Sequence, residues 1–268
     1  MFDAMPTTPS HALMQDPAFA AALRLCGEDP ITLPSGLLLL NRRLAGVPVL
    51  MLPRAAPPPD LPKQLADAGL SRRLLILSPE HPCKMPRALR MMPRQALLRV
   101  DLSGDDQTRR AGLHQKWRNQ LRRAEGSLLR VTQRRMNASH PMLARAAEQS
   151  RARRYQGWPT ALTAAFAKAA PEQTQIFTAL LRGHPVAHML FLIHGNRATY
   201  HIGHTTPEGR KTHAHNLLLW QASIALHRAG IMEMDLGPET TPQIDRFKCR
   251  AGAQQVMTGG TWLRWAPF

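Results

Sequence analysis

The chain has 268 residues, 44% hydrophobic and 20% charged, enough to bury a sizeable core in one large domain or two small ones. Lys+Arg 35 against Asp+Glu 18 leaves a net charge of +17, an excess that attracts nucleic acid, an anionic membrane surface or a phosphate-rich cofactor. An aromatic share of 5% argues against extensive base stacking, the three distant cysteines form no C-x-x-C pair, and no apolar run reaches the ~18–20 residues needed to span a bilayer. Met1–Pro17 lacks a basic run followed by an apolar core, so no secretory leader is expected and a reducing, cytoplasmic setting follows.

Asp16–Leu25 is a predicted helix, with Asp16 as cap and Pro17 in the first turn. Gly36–Leu40 and Val47–Leu52 form a hairpin around Asn41–Gly46, and Asp60–Ala68 is a helix stopped by Gly69. Leu74–Leu77 and Leu97–Leu102 are buried strands joined by Pro-rich chain. Residues 1–104 therefore make a small α/β unit. A helix from Ser103 or Asp105 to Glu125 follows. It buries Leu113, Trp117, Leu121 and Ala124, and carries Lys116, Arg118, Arg122 and Arg123 on its other faces. Strand Leu128–Gln133 and helices His140–Arg154 and Thr160–Ala169 come next. They lead to a meander of Thr174–Leu181, Val186–His194 and Ala198–Gly203, turned at Gly183-His184 and Gly195-Asn196.

After the meander a polar loop, Thr205–His215, leads into helix Leu217–Ala229, with Leu218, Gln221, Ala222, Ala225 and Leu226 on one face. Strand Ile231–Leu236, a helix about Pro242–Arg250 and strand Val256–Trp265 close the chain. This succession makes an α+β fold with a mixed, mostly antiparallel sheet flanked by helices. A strand–loop–helix–strand order also aims a helix N-terminus at an anionic ligand. Neither G-x-G-x-x-G nor G-x-x-x-x-G-K-[ST] occurs, which disfavours a dinucleotide fold and a P-loop NTPase.

Three pieces of residues 105–265 carry a resemblance. Lys116-Trp117-Arg118-Asn119 with Arg122-Arg123-Ala124 is similar to a basic helix of pattern K-x-R-x-x-I-x-x-A. Tyr200-His201-Ile202-Gly203 leads into Asn216-Leu217-Leu218-Leu219-Trp220, like a Y-x-x-G strand and an L-x-W helix. Asp235-Leu236-Gly237 precedes Arg246-Phe247-Lys248-Cys249-Arg250-Ala251-Gly252, similar to D-x-G followed by F-K-x-x-[FA]-G. Together they resemble the GNAT acyltransferase superfamily, most closely its FemAB-like branch of peptidoglycan bridge transferases. The resemblance implies a GNAT-like domain over 105–268, preceded by a reduced GNAT-like half over 1–104. It also implies an N-acyltransferase that uses an acyl-CoA, acyl carrier protein or aminoacyl-tRNA donor and an amine acceptor. The family's pyrophosphate loop [RQ]-x-x-G-x-[GA] has Arg210-Lys211-Thr212-His213-Ala214-His215 in its place, without the glycines, and the tRNA-gripping coiled-coil insertion has no equivalent.

Acyl transfer to an amine requires a neutral amine, stabilisation of the carbonyl oxygen as it gains charge, and protonation of the leaving group. The family takes its oxyanion donor from a splayed strand, here within Ala187–Phe191 or Ala198–Gly203. No Ser-His-Asp or Cys-His set is legible, so direct transfer without a covalent enzyme or tightly bound cofactor is expected. Lys248 is the candidate cation, Asp235 the group that orients or deprotonates the amine, and Tyr200 the donor to the leaving group. Tyr200, Asp235 and Lys248 are expected to line one cleft. His201 or His204 is a candidate base. His201 and His204 sit three apart on a strand and face opposite sides, and no cysteine completes a ligand set, so metal binding is not expected. Arg210, Lys211, His215 and Asn216 are candidate donor contacts; Arg118, Arg122 and Arg246 are candidate anion contacts. Two other readings suit the charge: a non-catalytic RNA- or tRNA-binding protein on the same scaffold, and a peripheral membrane enzyme acylating a lipid.

Overall fold

The computed structural model describes residues 10–153 and 157–265. The first nine residues, part of the stretch read for a leader, and Arg154, the end of a predicted helix, lie outside them. The described chain forms two compact units, Ala12–Leu97 with 256–265 and Leu98–Gln255 with 10–11. Both carry mostly antiparallel sheets with helices, the α+β class expected.

In the first unit α1 (Pro17–Leu25) starts where Asp16 accepts the Ala18 N–H at 2.8 Å. Strands β1 (Ile31–Thr32), β2 (Leu38–Leu44), β3 (Val47–Pro53) and β4 (Leu74–Ser78) follow, with α2 (Leu61–Asp67) between the last two. The β2–β3 turn is tighter than the sequence indicated. Pairing runs to Leu44↔Val47, leaving Ala45 and Gly46, both at positive φ, as a two-residue turn. A further strand, β5 (Leu89–Met92), occupies chain read as a Pro-rich connection. The apolar tail divides into β12 (Gln254–Met257) and β13 (Thr261–Arg264), which enter different sheets. Gly260 forces the break: its φ is +82°, and a Cβ there would sit 2.9 Å from Met92 O. The first sheet has the order β1-β2-β3-β4-β13-β5. Its core joins Leu33, Leu39, Leu50, Leu52, Leu61, Leu65, Leu75 and Leu77.

The second unit opens with β6 (Ala96–Asp101), then α3 (Asp106–Gly112) and α4 (Gln115–Glu125) where one helix was expected. Leu113 leaves helical geometry, and His114 Nδ1 accepts the Lys116 N–H at 3.1 Å to start α4. The apolar period continues across the break because Leu113, Trp117, Leu121 and Ala124 all reach the core. Next come β7 (Leu129–Arg135), α5 (Met142–Arg153), α6 (Thr160–Ala169), β8 (Thr174–Leu181), β9 (His184–His194) and β10 (Arg197–Thr205). The chain goes on through α7 (Pro207–Lys211), α8 (Ala214–Arg228), β11 (Glu233–Pro238) and α9 (Pro242–Arg250). The second sheet has the order β12-β6-β11-β10-β9-β8-β7. One face packs Met189, Phe191 and Leu236 against Trp117, Leu121, Leu218 and Ala222 of α4 and α8.

Candidate acyl-transfer site

Strands β10 and β11 are parallel and pair over three positions only, Arg197↔Glu233, Ala198↔Met234 and Thr199↔Asp235. Both strands continue, β10 to Thr205 and β11 to Pro238. The sheet is therefore open between them beyond Thr199. Just past the last pair, β10 carries a bulge between Tyr200 and Ile202 against an otherwise continuous β9. His215 Nε2 donates to His204 O at 3.0 Å, tying the start of α8 to this strand. Thr206 N–H donates to Val186 O at 2.9 Å, so antiparallel alternation turns the main chains of Ile202 and His204 toward β9 and that of Gly203, like the Thr205 carbonyl reached by Arg210, toward the opening.

Lys248 lies on α9 and is buried, with Nζ donating to Pro238 O at 2.9 Å. Burial lowers its pKa, while Asp245, Asp235, Cys249 and Glu239 act in the opposite direction. The ammonium is thus fixed at the end of β11. Asp235 occupies the last paired position. Its Oδ1 accepts the Gly237 N–H at 2.7 Å, and its Oδ2 lies 3.9 Å from Arg99 Nε.

Tyr200 does not share the sheet face of Asp235. Thr199 pairs with Asp235, so the adjacent Tyr200 projects from the other face of the sheet. Its ring packs on Phe191 at 5.6 Å, and burial raises its pKa. A Cβ on Gly203 would fall 1.6 Å from the Tyr200 hydroxyl, which is why Y-x-x-G ends in glycine. His201 shares a 2.8 Å hydrogen bond with Thr163 Oγ1 and meets Trp158 edge-on at 4.9 Å. Desolvation lowers its pKa to about 4, so it is neutral near pH 7. His204 is half-buried, and its pKa is lowered by burial and by Arg145 and Arg210.

The polar loop after β10 contains the single-turn α7. Gly209 permits it, since a Cβ there would lie 2.4 Å from Val186 O. Arg210 is exposed and donates to Thr205 O at 3.0 Å; Lys211 is exposed. Helix α8 begins after His213, which sits at φ 54° and offers no side-chain cap. The side chains of His215 and Asn216 turn inward, to His204 O and to Gln120 at 3.4 Å, leaving the first N–H groups of α8 for a ligand. Arg118 donates to Ala111 O at 2.7 Å, whereas Arg122 and Arg246 are exposed. Arg123 of α4 reaches the start of α8 closely enough to lower the pKa of His213, after burial. Other cations of this stretch are structural. Arg110 holds Glu125 at 2.7 and 2.6 Å, and both Arg109 and Arg110 lie over the Trp220 ring.

A buried ion network escaped sequence reasoning. Arg197 Nε is 2.7 Å from Glu233 Oε1, and Arg99 Nη1 is 3.3 Å from the same oxygen. Charged residues inside apolar strands were the available signal. A hollow of about 640 Å³ near α7 is lined by residues including Pro185, Val186, Thr206, Glu208 and Thr212, and by none of Lys248, Asp235, Tyr200 or His201. Among the described residues no group of three His, Cys, Asp or Glu is placed to hold a metal. None of their helices is long and apolar enough to cross a membrane.

An opened parallel strand pair followed by a helix N-terminus offers main-chain N–H groups to an anionic ligand. Residues 108–248 match the acetyltransferase (GNAT) domain model, more than half of the chain, and the protein belongs to that family. No curated protein matches the sequence. Among solved structures the chain is similar to FemX, with TM-score 0.77 and 10% identity, over 97% of this chain and 94% of that one. It is also similar to L-PGS from Bacillus licheniformis, with TM-score 0.56 and 12% identity over 96% and 93%. A third is a domain described as the C-terminal part of a lysylphosphatidylglycerol synthetase from Agrobacterium fabrum, with TM-score 0.57 and 14% identity over 94% and 88%. At these identities the likeness is one of fold, and the FemX match is the fold expected of the FemAB-like branch.

Proposed function

We propose that the protein is an N-acyltransferase that moves an acyl or aminoacyl group from a CoA, carrier-protein or tRNA donor directly to an amine. The observation that carries this reading is the gap beyond Thr199 and Asp235, bounded by the bulged strand, the α8 N-terminus and Lys248. The donor carbonyl enters the gap with its oxygen toward the Gly203 N–H. The amine nitrogen attacks the carbonyl carbon, and the C=O π electrons move onto oxygen. Collapse expels the thiolate or alkoxide, which takes up the proton that the nitrogen gives up. Lys248 offsets the negative charge, either on the carbonyl oxygen or on the donor's phosphate. Asp235 orients the amine through lone pairs not used by Gly237. Burial favours a protonated Tyr200 and a neutral His201, and the proposal assigns neither of them a proton transfer. Arg210, Lys211, Arg123 and the first amides of α8 hold donor phosphate. In this account residues 105–268 carry the reaction, residues 1–104 are a reduced companion half, and the protein works in the cytoplasm.

A second reading is a peripheral enzyme that acylates a lipid, favoured by the fold shared with L-PGS. The test is a thermal-shift and turnover screen of acyl-CoA, acyl carrier protein and aminoacyl-tRNA donors. Lys248→Met, which keeps an apolar stem in the buried site, is expected to lower kcat/KM about 10²–10³-fold with the fold intact. Undiminished turnover in that variant would remove Lys248 from the mechanism. Salt-sensitive RNA retention without turnover of any donor would replace the enzyme with an RNA-binding protein.

A further inference from the structure

Strand β5 lies at the edge of the first sheet, and all four of its residues are exposed. Leu89, Met91 and Met92 are 66%, 56% and 51% exposed, too much for core residues. Register with β13 runs Trp262↔Arg90 and Leu263↔Leu89, so the chain leaving β13 passes Arg87 and Ala88. It carries Trp265, 77% exposed, just past the strand that pairs with β5. Lys84, Arg87, Arg90 and Arg94 are exposed in the same segment, and no Asp or Glu stands between Glu80 and Asp101. Three large exposed apolar side chains thus share a segment with four exposed cations and no acid, and the exposed Trp265 follows the strand paired with it.

We propose that this ribbon is a contact surface for anionic lipid bilayers. Cations at this spacing meet headgroup phosphates, while leucine and methionine tips reach the acyl boundary and an indole settles at the interface. RNA would satisfy the arginines but would leave Leu89, Met91 and Met92 in water. A second copy pairing along this edge is opposed by like charge, and by Pro86 and Pro93, which lack the N–H that strand addition requires. The inference needs no donor or acceptor and stands apart from the transfer reaction.

The test is co-sedimentation with phosphatidylcholine vesicles, with and without phosphatidylglycerol, across a salt series. The full chain is compared with Leu89→Ser/Met91→Ser/Met92→Ser and with Arg87→Ser/Arg90→Ser/Arg94→Ser, with melting temperatures recorded. Binding is expected only with the anionic lipid and is expected to weaken with salt. Each triple variant is expected to lose about tenfold or more in affinity. Brominated lipid should quench the full chain, and Trp265→Phe should remove that quenching. Equal binding to neutral vesicles, unchanged affinity in both triple variants, RNA retention without vesicle binding, or a dimer lost in the serine variants without vesicle binding would each overturn the proposal.

Discussion

Replacing Glu233 by glutamine is expected to destabilise the protein by about 2–3 kcal/mol. The side chains of Arg99 and Arg197 are 6% and 5% exposed, and the Glu233 carboxylate lies between them. Guanidinium stays charged at any working pH, so removing the carboxylate leaves two desolvated cations facing each other instead of letting one neutralise. Breaking a buried ion pair from one side typically costs about 3–5 kcal/mol. The lower figure applies because Glu233 is 34% exposed and Asp235 remains 3.9 Å from Arg99. Urea unfolding with a constant m-value measures the change, and Glu233→Asp, which retains the charge, should lose less. A Glu233→Gln protein within about 0.5 kcal/mol of wild type would mean that the network adds nothing to stability.

The second large effect is acid lability centred on His188 and His201. Both have folded-state pKa values lowered from 6.5 to about 4, in each case chiefly by burial. His188 shares a 2.9 Å hydrogen bond with Thr178 and meets His140 edge-on at 5.7 Å. Coulombic repulsion from His140, His204, Arg145 and His215 also lowers its pKa. Between pH 6.5 and 4 the unfolded chain binds protons at these positions that the folded protein refuses. Stability therefore falls as pH falls through that window, and is at its full value above it. A shift of this size is worth at most about 3 kcal/mol per histidine. His140, His204, His213 and His215 shift in the same direction and add to the slope. Denaturation at several pH values between 4 and 7 should show the decline, and His188→Gln/His201→Phe should flatten it. An unchanged slope in the double variant would place the acid sensitivity elsewhere.

Elements with local signals were legible from residues alone. Asp16-Pro17 opens α1 and Pro242 opens α9, each at its expected residue, because caps and first-turn prolines act within a few positions. The meander followed from alternation and glycine turns. Elements that depend on distant partners were not legible. Strand β5 is solvated on both faces and gains its ladder from β13, at the other end of the chain, so its prolines dominated the reading. The α3–α4 break escaped because a histidine does the capping while the apolar period runs on. At the site, Asp235 and Lys248 were singled out by the motifs of the resemblance; the Lys248 ammonium is bonded at the end of β11 and feels the Asp235 charge. Tyr200 was grouped with them, and strand parity, once the pairing is known, sends it to the face opposite Asp235. The Arg99–Glu233–Arg197 network needs that same pairing, which no short window contains.

The account's central claim is that the donor lies in the gap between β10 and β11. Hydrogen exchange measured with and without a saturating, non-reactive analogue of whichever donor the screen identifies tests it directly. Slowed exchange over Tyr200–Thr205 and Ala214–Leu217 is the expected result. A bound analogue that leaves both segments unchanged while protecting amides elsewhere would contradict the claim.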